Sequence, residues 1–116
     1  MAKLERTLTG DFDRVLEALH NGVLEGSATA SCEEASDFTV GGVRCAVRMY
    51  ERYSAFGGNR VAMSLTLMGS GGRLHLTAMT AGGSQAMFFK LNTLGEESFL
   101  GTLEEIVDRL ERGAGR

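Results

Sequence analysis

Apolar and polar positions change their spacing along the chain, and each change marks an element. Leu4, Arg6 and Leu8 alternate with Lys3, Glu5 and Thr7, which predicts a short first strand. From Phe12 the spacing widens: Phe12, Val15, Leu16, Leu19 and Val23 fall on one face of a helix that Asp11 can cap and that Gly22 or Gly26 can end. Five segments of period-two patterning follow, Ala28–Val40, Val43–Ala55, Arg60–Met68, Arg73–Thr80 and Gln85–Asn92. The links between them are Gly41-Gly42, Gly57-Gly58-Asn59, Gly69-Ser70-Gly71-Gly72 and Gly82-Gly83, which are hairpin signals. Thr93-Leu94-Gly95-Glu96 then has the form of a capping box, opening a helix with Phe99, Leu103, Ile106, Val107 and Leu110 on one side.

The hairpins assign side chains to faces, because a one-residue slip turns every side chain over. A three-residue loop at Gly57–Asn59 sets Met49 opposite Leu67 and Tyr53 opposite Met63. The next turn sets Leu65 opposite Leu76, and a two-residue Gly82-Gly83 turn sets Leu76 opposite Phe89 and Ala78 opposite Met87. Together they predict one apolar face of Cys45, Val47, Met49, Val61, Met63, Leu65, Leu67, Leu74, Leu76, Met87, Phe89 and Leu91. Two amphipathic helices are available to cover it. The expected fold is α+β: a single antiparallel five- or six-stranded sheet with an N-terminal and a C-terminal helix on one face, in the order β-α-β5-α. This order resembles a reduced helix-grip domain of the START and birch-pollen-allergen type, or a TATA-binding-protein-like arrangement. Such a likeness concerns fold and implies no activity.

A closer resemblance is carried by Tyr50-Glu51-Arg52-Tyr53, Gly57-Gly58-Asn59-Arg60-Val61, Gly82-Gly83-Ser84-Gln85-Ala86-Met87-Phe88-Phe89-Lys90 and Asn92-Thr93-Leu94-Gly95-Glu96-Glu97. These segments resemble a family of small single-domain bacterial proteins of unknown function. The resemblance implies one domain over residues 1–116 and brings no site residue with it.

Composition narrows the classes of function. The 116 residues are 43% apolar and 23% charged, which excludes a disordered chain. A net charge of −3 argues against a general nucleic-acid binder. No apolar run suits a secretory signal, and the weakly charged stretch from Val61 to Phe89 is too broken by glycines to span a membrane. Cys32 and Cys45 are too few for a disulfide framework, and their expected register keeps them apart as buried thiols. The expectation is a cytoplasmic protein.

No phosphate loop, dinucleotide fingerprint or metal-ligand spacing occurs, so no cofactor and no metal is expected. His20 reads as structural, and His75 as an outward residue without an orienting acid. No nucleophile, base and orienting group can be assembled into an enzyme. Two binding readings remain. In the first, a small, largely apolar ligand lies between sheet and C-terminal helix. Glu51 and Tyr53 form the polar end of its site, and Met49, Met63, Met87 and Phe89 the walls. In the second, an outer face carrying Arg44, Arg48, Tyr50, Arg52 and Phe88 meets an acidic protein partner or single-stranded nucleic acid, the latter disfavoured by Glu33, Asp37 and the net charge. Met68 and Met79 add an outward apolar patch, and a homodimer through the outer face or a sheet edge is expected.

Overall fold

The computed structural model describes residues 2–53, 60–82 and 89–114, with side chains left aside at 89–98 and 114. The elements run β1 (Ala2–Thr9), α1 (Phe12–Glu25), β2 (Ser31–Val40), β3 (Val43–Tyr53), β4 (Arg60–Ser70), β5 (Arg73–Gly82) and α2 (Phe89–Ala114). The five strands form one antiparallel sheet in the order β1-β5-β4-β3-β2, so β1 and β2 are its edges.

Local chemistry sets the boundaries. The Arg14 backbone N–H donates to Asp11 Oδ2 at 3.0 Å, satisfying a first-turn donor of α1, and Gly26 closes that helix through its N–H to the Gly22 carbonyl. Gly41 (φ 60°) and Gly42 (φ 81°) make a two-residue hairpin turn, and Gly71 (φ 59°) and Gly72 (φ 82°) repeat it. Both central residues of such turns need positive φ, which glycine adopts without strain.

Both helices lie on one side of the sheet. Phe12, Val15, Leu19 and Val23 of α1 and Phe99, Leu103, Ile106 and Val107 of α2 join Leu4, Leu8, Ala46, Tyr50, Val61, Met63, Leu65, Leu67, Leu74, Leu76 and Ala78 in one core. The helices meet closely at the glycines. A Cβ on Gly22 would come within 2.1 Å of the Ile106 side chain, and one on Gly26 within 2.7 Å of Thr102. Arg6 points to the same side from β1 and ties that edge to α2 through Glu104 at 3.1 Å and Asp108 at 3.8 Å.

The sequence-based expectation needs four corrections here. Phe89–Asn92 belongs to α2 and not to a strand, and residues 83–88, with Met87 and Phe88, lie outside the described residues. An alternating run of eight residues is short enough to fit either period. Thr93 accordingly sits one turn inside α2 and does not begin it. The Gly69–Gly72 turn is tighter than assumed, pairing Leu65 with Ala78 and Leu67 with Leu76, a shift of two that keeps the faces. The β3–β4 register differs by three: Tyr53 pairs with Arg60, Tyr50 with Met63 and Ala46 with Leu67. An odd shift reverses every side chain of β3.

Candidate functional site

With β3 reversed, its even-numbered residues face the helices. Arg44, Ala46, Arg48, Tyr50 and Arg52 are paired with Gly69, Leu67, Leu65, Met63 and Val61 of the core face of β4. Three arginines under two helices are tolerated because each guanidinium reaches past the apolar core to a specific group. The Arg44 guanidinium carbon lies 4.1 Å above the Phe12 ring centroid, and its nitrogens donate to Asp13 at 2.8 and 3.0 Å. That pairing holds the Asp13 carboxyl below its ordinary value. Arg48 pairs with Asp37 of β2 at 3.1 Å. Arg52 stacks on the Phe99 ring at 4.4 Å, and burial lowers its pKa. Tyr50 is fully buried, and its Oη lies 2.7 Å from His20 Nδ1. Burial is the main cause that pushes its phenol well above the usual range.

The outer-face set expected from the sequence therefore does not exist as a surface. Arg44, Arg48, Tyr50 and Arg52 are on the helix side, and Phe88 is outside the described residues. The expected ligand set also separates. Met63 is buried in the core, but Met49, Glu51 and Tyr53 project from the opposite face. Phe89 begins α2, and Met87 is outside the described residues. Glu34 is exposed and accepts from the Ala35 N–H, and Glu51 is paired with Arg60, so neither carboxylate is stranded under a helix.

The same reversal takes Cys45 and Val47 to the outer face, where Cys45 sits between its pair partners Phe38 and Met68 and is only 8% exposed. Cys32 is exposed, contrary to the expected buried thiol. A bulge between Cys32 and Glu34 places it opposite Tyr50 rather than Glu51, on the other side of the sheet from Cys45. His75 is outward as expected, but it has an acid: Glu5 Oε2 lies 3.3 Å from its Nε2, brought there by β1 pairing with β5.

What the structure assembles instead is an open sheet face. Pair by pair, one row runs Phe38, Cys45, Met68, His75, Thr7; the next runs Ser36, Val47, Thr66, Thr77, Glu5; and the third runs Glu34, Met49, Ser64, Met79, Lys3. Phe38, Val40, Met49, Tyr53, Met68 and Met79, the large apolar side chains that stay exposed among the described residues, all belong to this face. Val40 is 70% and Tyr53 53% exposed, whereas both helices pack on the opposite side. Charged groups gather at its margins, with Lys3, Glu5 and His75 on one edge and Glu51 with Arg60 at one end. Exposed apolar side chains on either side of a middle row of Ser36, Val47, Thr66 and Thr77 give the face a mixed surface of the kind that protein interfaces use. Among the described residues no group of three His, Cys, Asp or Glu side chains could hold a metal ion, and no helix is long and apolar enough to cross a membrane.

Comparisons with known proteins add a family and no activity. No curated protein matches the chain significantly. The solution structure of Chr148 from Cytophaga hutchinsonii covers 98% of this chain and 94% of its own, at 10% identity and a TM-score of 0.39. The crystal structure of TTHA0849 from Thermus thermophilus covers 94% of this chain and 97% of its own, at 18% identity and a TM-score of 0.29. Likeness at these scores carries no argument about fold or function. The family described as "Family of unknown function (DUF6054)" matches residues 1–111, and the chain belongs to it.

Proposed function

We propose that this chain is a non-catalytic interaction module that works through the open face of its sheet, and that the face is occupied by a second copy of the chain. The observation that carries this reading is the gathering of six exposed large apolar side chains on the side of the sheet away from both helices. Size favours a like-sized partner. Five strands of about ten residues present a face of roughly 24 by 33 Å, or about 800 Å², which is what each side of a standard stable interface contributes.

Charge favours a copy over a strongly acidic or basic protein. On the regular outward positions Lys3, Arg60 and Arg73 balance Glu5, Glu34 and Glu51. Glu5 and Glu51 are already paired within the face. With Glu33 held in the bulge against the outward Ser31, the face is within one charge of neutral and repels its symmetry mate only weakly, and two such sheets pack aligned at about 10 Å, as in a sandwich.

Light scattering on the eluting protein at micromolar concentration tests the reading. The expected mass is twice 12.4 kDa. Met68→Glu should yield the monomer with an unchanged circular dichroism spectrum, since Met68 is 43% exposed and lies outside the core under the helices. A monomer for the unmodified chain rejects the reading, as does a dimer that survives both Met68→Glu and Phe38→Glu.

A further inference from the structure

A cleft of about 820 Å³ opens at the end of the sheet where β1 passes into α1, beside the last turn of α2. Its floor lies on the helix side of the sheet, away from the exposed methionines of the open face, and its chemistry differs. Leu8, Val15, Ala18 and Leu110 supply an apolar floor, with Leu8 only 5% and Val15 only 7% exposed. Arg14, Arg73 and Arg109 supply the rim.

These three arginines have no carboxylate paired to them among the described residues. Arg6, Arg44, Arg48 and Arg60 each pair with an acid, whereas Arg14, Arg73 and Arg109, and Arg112 in the last turn of α2, make no ion pair among the described residues. Three of these four cations line one cleft, in a chain with 12 basic and 15 acidic residues. The two acids that line the cleft already have partners. Asp11 accepts the Arg14 backbone N–H at the start of α1, and Glu111 lies 4.0 Å from Arg6. The start of α1 and the end of α2 bring partial charges of opposite sign, so the arginines decide the sign of the field. The volume falls in the range of small-molecule sites, and a guanidinium rim suits a planar or tetrahedral oxyanion.

We propose that this cleft binds an anionic amphiphile, a small molecule with a carboxylate or phosphate head on the arginine rim and an apolar body on the Leu8–Val15–Leu110 floor. Of the cleft's arginines only Arg73 also borders the open face, so Arg109→Ala tests the cleft apart from any assembly of that face. Amide-resolved NMR titration of the full chain with octyl phosphate, octanoate, octanol and inorganic phosphate tests it. Either or both of the amphiphilic anions should shift the amides of Thr9, Gly10, Arg14 and Leu110 with a saturable curve, and the better of the two identifies the head group. Octanol and inorganic phosphate, each carrying half of the required chemistry, should bind at least about tenfold more weakly. Arg73→Ala and Arg109→Ala, both exposed and so without consequence for folding, should each raise the dissociation constant about tenfold, as loss of a charge-assisted contact does. Shifts confined to Met49, Met68 and Met79 on the open face would overturn the proposal. So would octanol binding as tightly as octyl phosphate, an affinity indifferent to both substitutions, or no saturable shift at millimolar ligand.

Discussion

Replacing Tyr50 by Phe removes one oxygen from the most buried polar contact between α1 and the sheet. Tyr50 has no exposed surface, and its Oη is 2.7 Å from His20 Nδ1. At neutral pH the variant loses that hydrogen bond and leaves a half-buried imidazole nitrogen without it, a cost of about 1–1.5 kcal/mol. For a chain of this length that is a fall of roughly 4–8 °C in the melting temperature.

The same burial makes the effect depend on pH with a definite sign. The phenol's folded-state pKa is raised above its ordinary value of 10.0, chiefly by desolvation. Above that value the unfolded chain releases the proton and the folded one retains it, so the unfolded state gains. Stability contributed by the protonated, buried phenol is complete below pH 10.0 and is lost as pH rises toward the folded-state value. The loss approaches about 1.4 kcal/mol per pH unit and amounts to about that much one unit above the ordinary value. Phe has no proton to release. Urea unfolding of both proteins across this range should therefore show a gap that is constant below pH 10.0, closes about one unit higher, and then changes sign in favour of Tyr50→Phe. Other alkaline groups titrate in both proteins and cancel in the difference. Parallel stability curves through the whole range would refute the reasoning, because they would mean that the phenol ionises as readily in the folded chain as in the unfolded one.

Two further outcomes follow from backbone and charge. Gly82 has φ +151°, and a Cβ there would meet the Arg60 carbonyl oxygen at 2.5 Å and Val61 Cα at 2.8 Å; Gly82→Ala should cost about 3 kcal/mol in urea unfolding. Gly41, at φ +60° with nothing within 4 Å of its Cβ position, should accept Asn for about 0.5 kcal/mol or less, and equal costs at the two sites would contradict the assigned geometry. The Asp13 carboxyl, held down mainly by hydrogen bonds from Arg44, should titrate below 3.8 by carbon-detected NMR and return toward it in Arg44→Ala. Its stabilising share is present above that ordinary value and fades as pH falls through the lower folded-state one.

Much of the fold was legible because several local signals agreed. Asp11 and Gly26 mark the ends of α1, and Gly41-Gly42 fixes Phe38 opposite Cys45 by turn chemistry alone. The apolar alternation of β4 survives an error of two in its hairpin, because an even slip leaves Val61, Met63, Leu65 and Leu67 on the core face. The connection between β3 and β4 lacks that tolerance. Read as three residues it joins Tyr53 to Met63, whereas Tyr53 in fact pairs with Arg60, and the odd difference exchanges the two sides of β3. Nothing in the alternation of β3 corrects the slip, because both of its sides are mixed. One offers Cys45, Val47 and Met49, the more apolar set, and the other Arg44, Arg48 and Arg52 around Ala46 and Tyr50.

The choice between those two sides of β3 is made by partners distant in sequence. Phe12 and Phe99 offer ring faces to Arg44 and Arg52, Asp37 meets Arg48, and His20 meets the Tyr50 hydroxyl, so the polar side acquires a full set of contacts beneath and beside the helices. A signal was present in the sequence, since Arg at alternate positions on a strand flanked by helices bearing Phe can stack inward as readily as it can face water. The consequence reaches the candidate site. Because the arginines take the helix side, Met49 and Tyr53 must take the other, and they join Phe38, Met68 and Met79 on a face that no element of the described chain covers. The polar contacts that anchor α1 to β3 and the apolar surface offered for association are thus two sides of one strand. Any change that slips β3 by one residue should disrupt both together, burying Cys45, Val47 and Met49 where Tyr50 now meets His20 and exposing the arginines in their place.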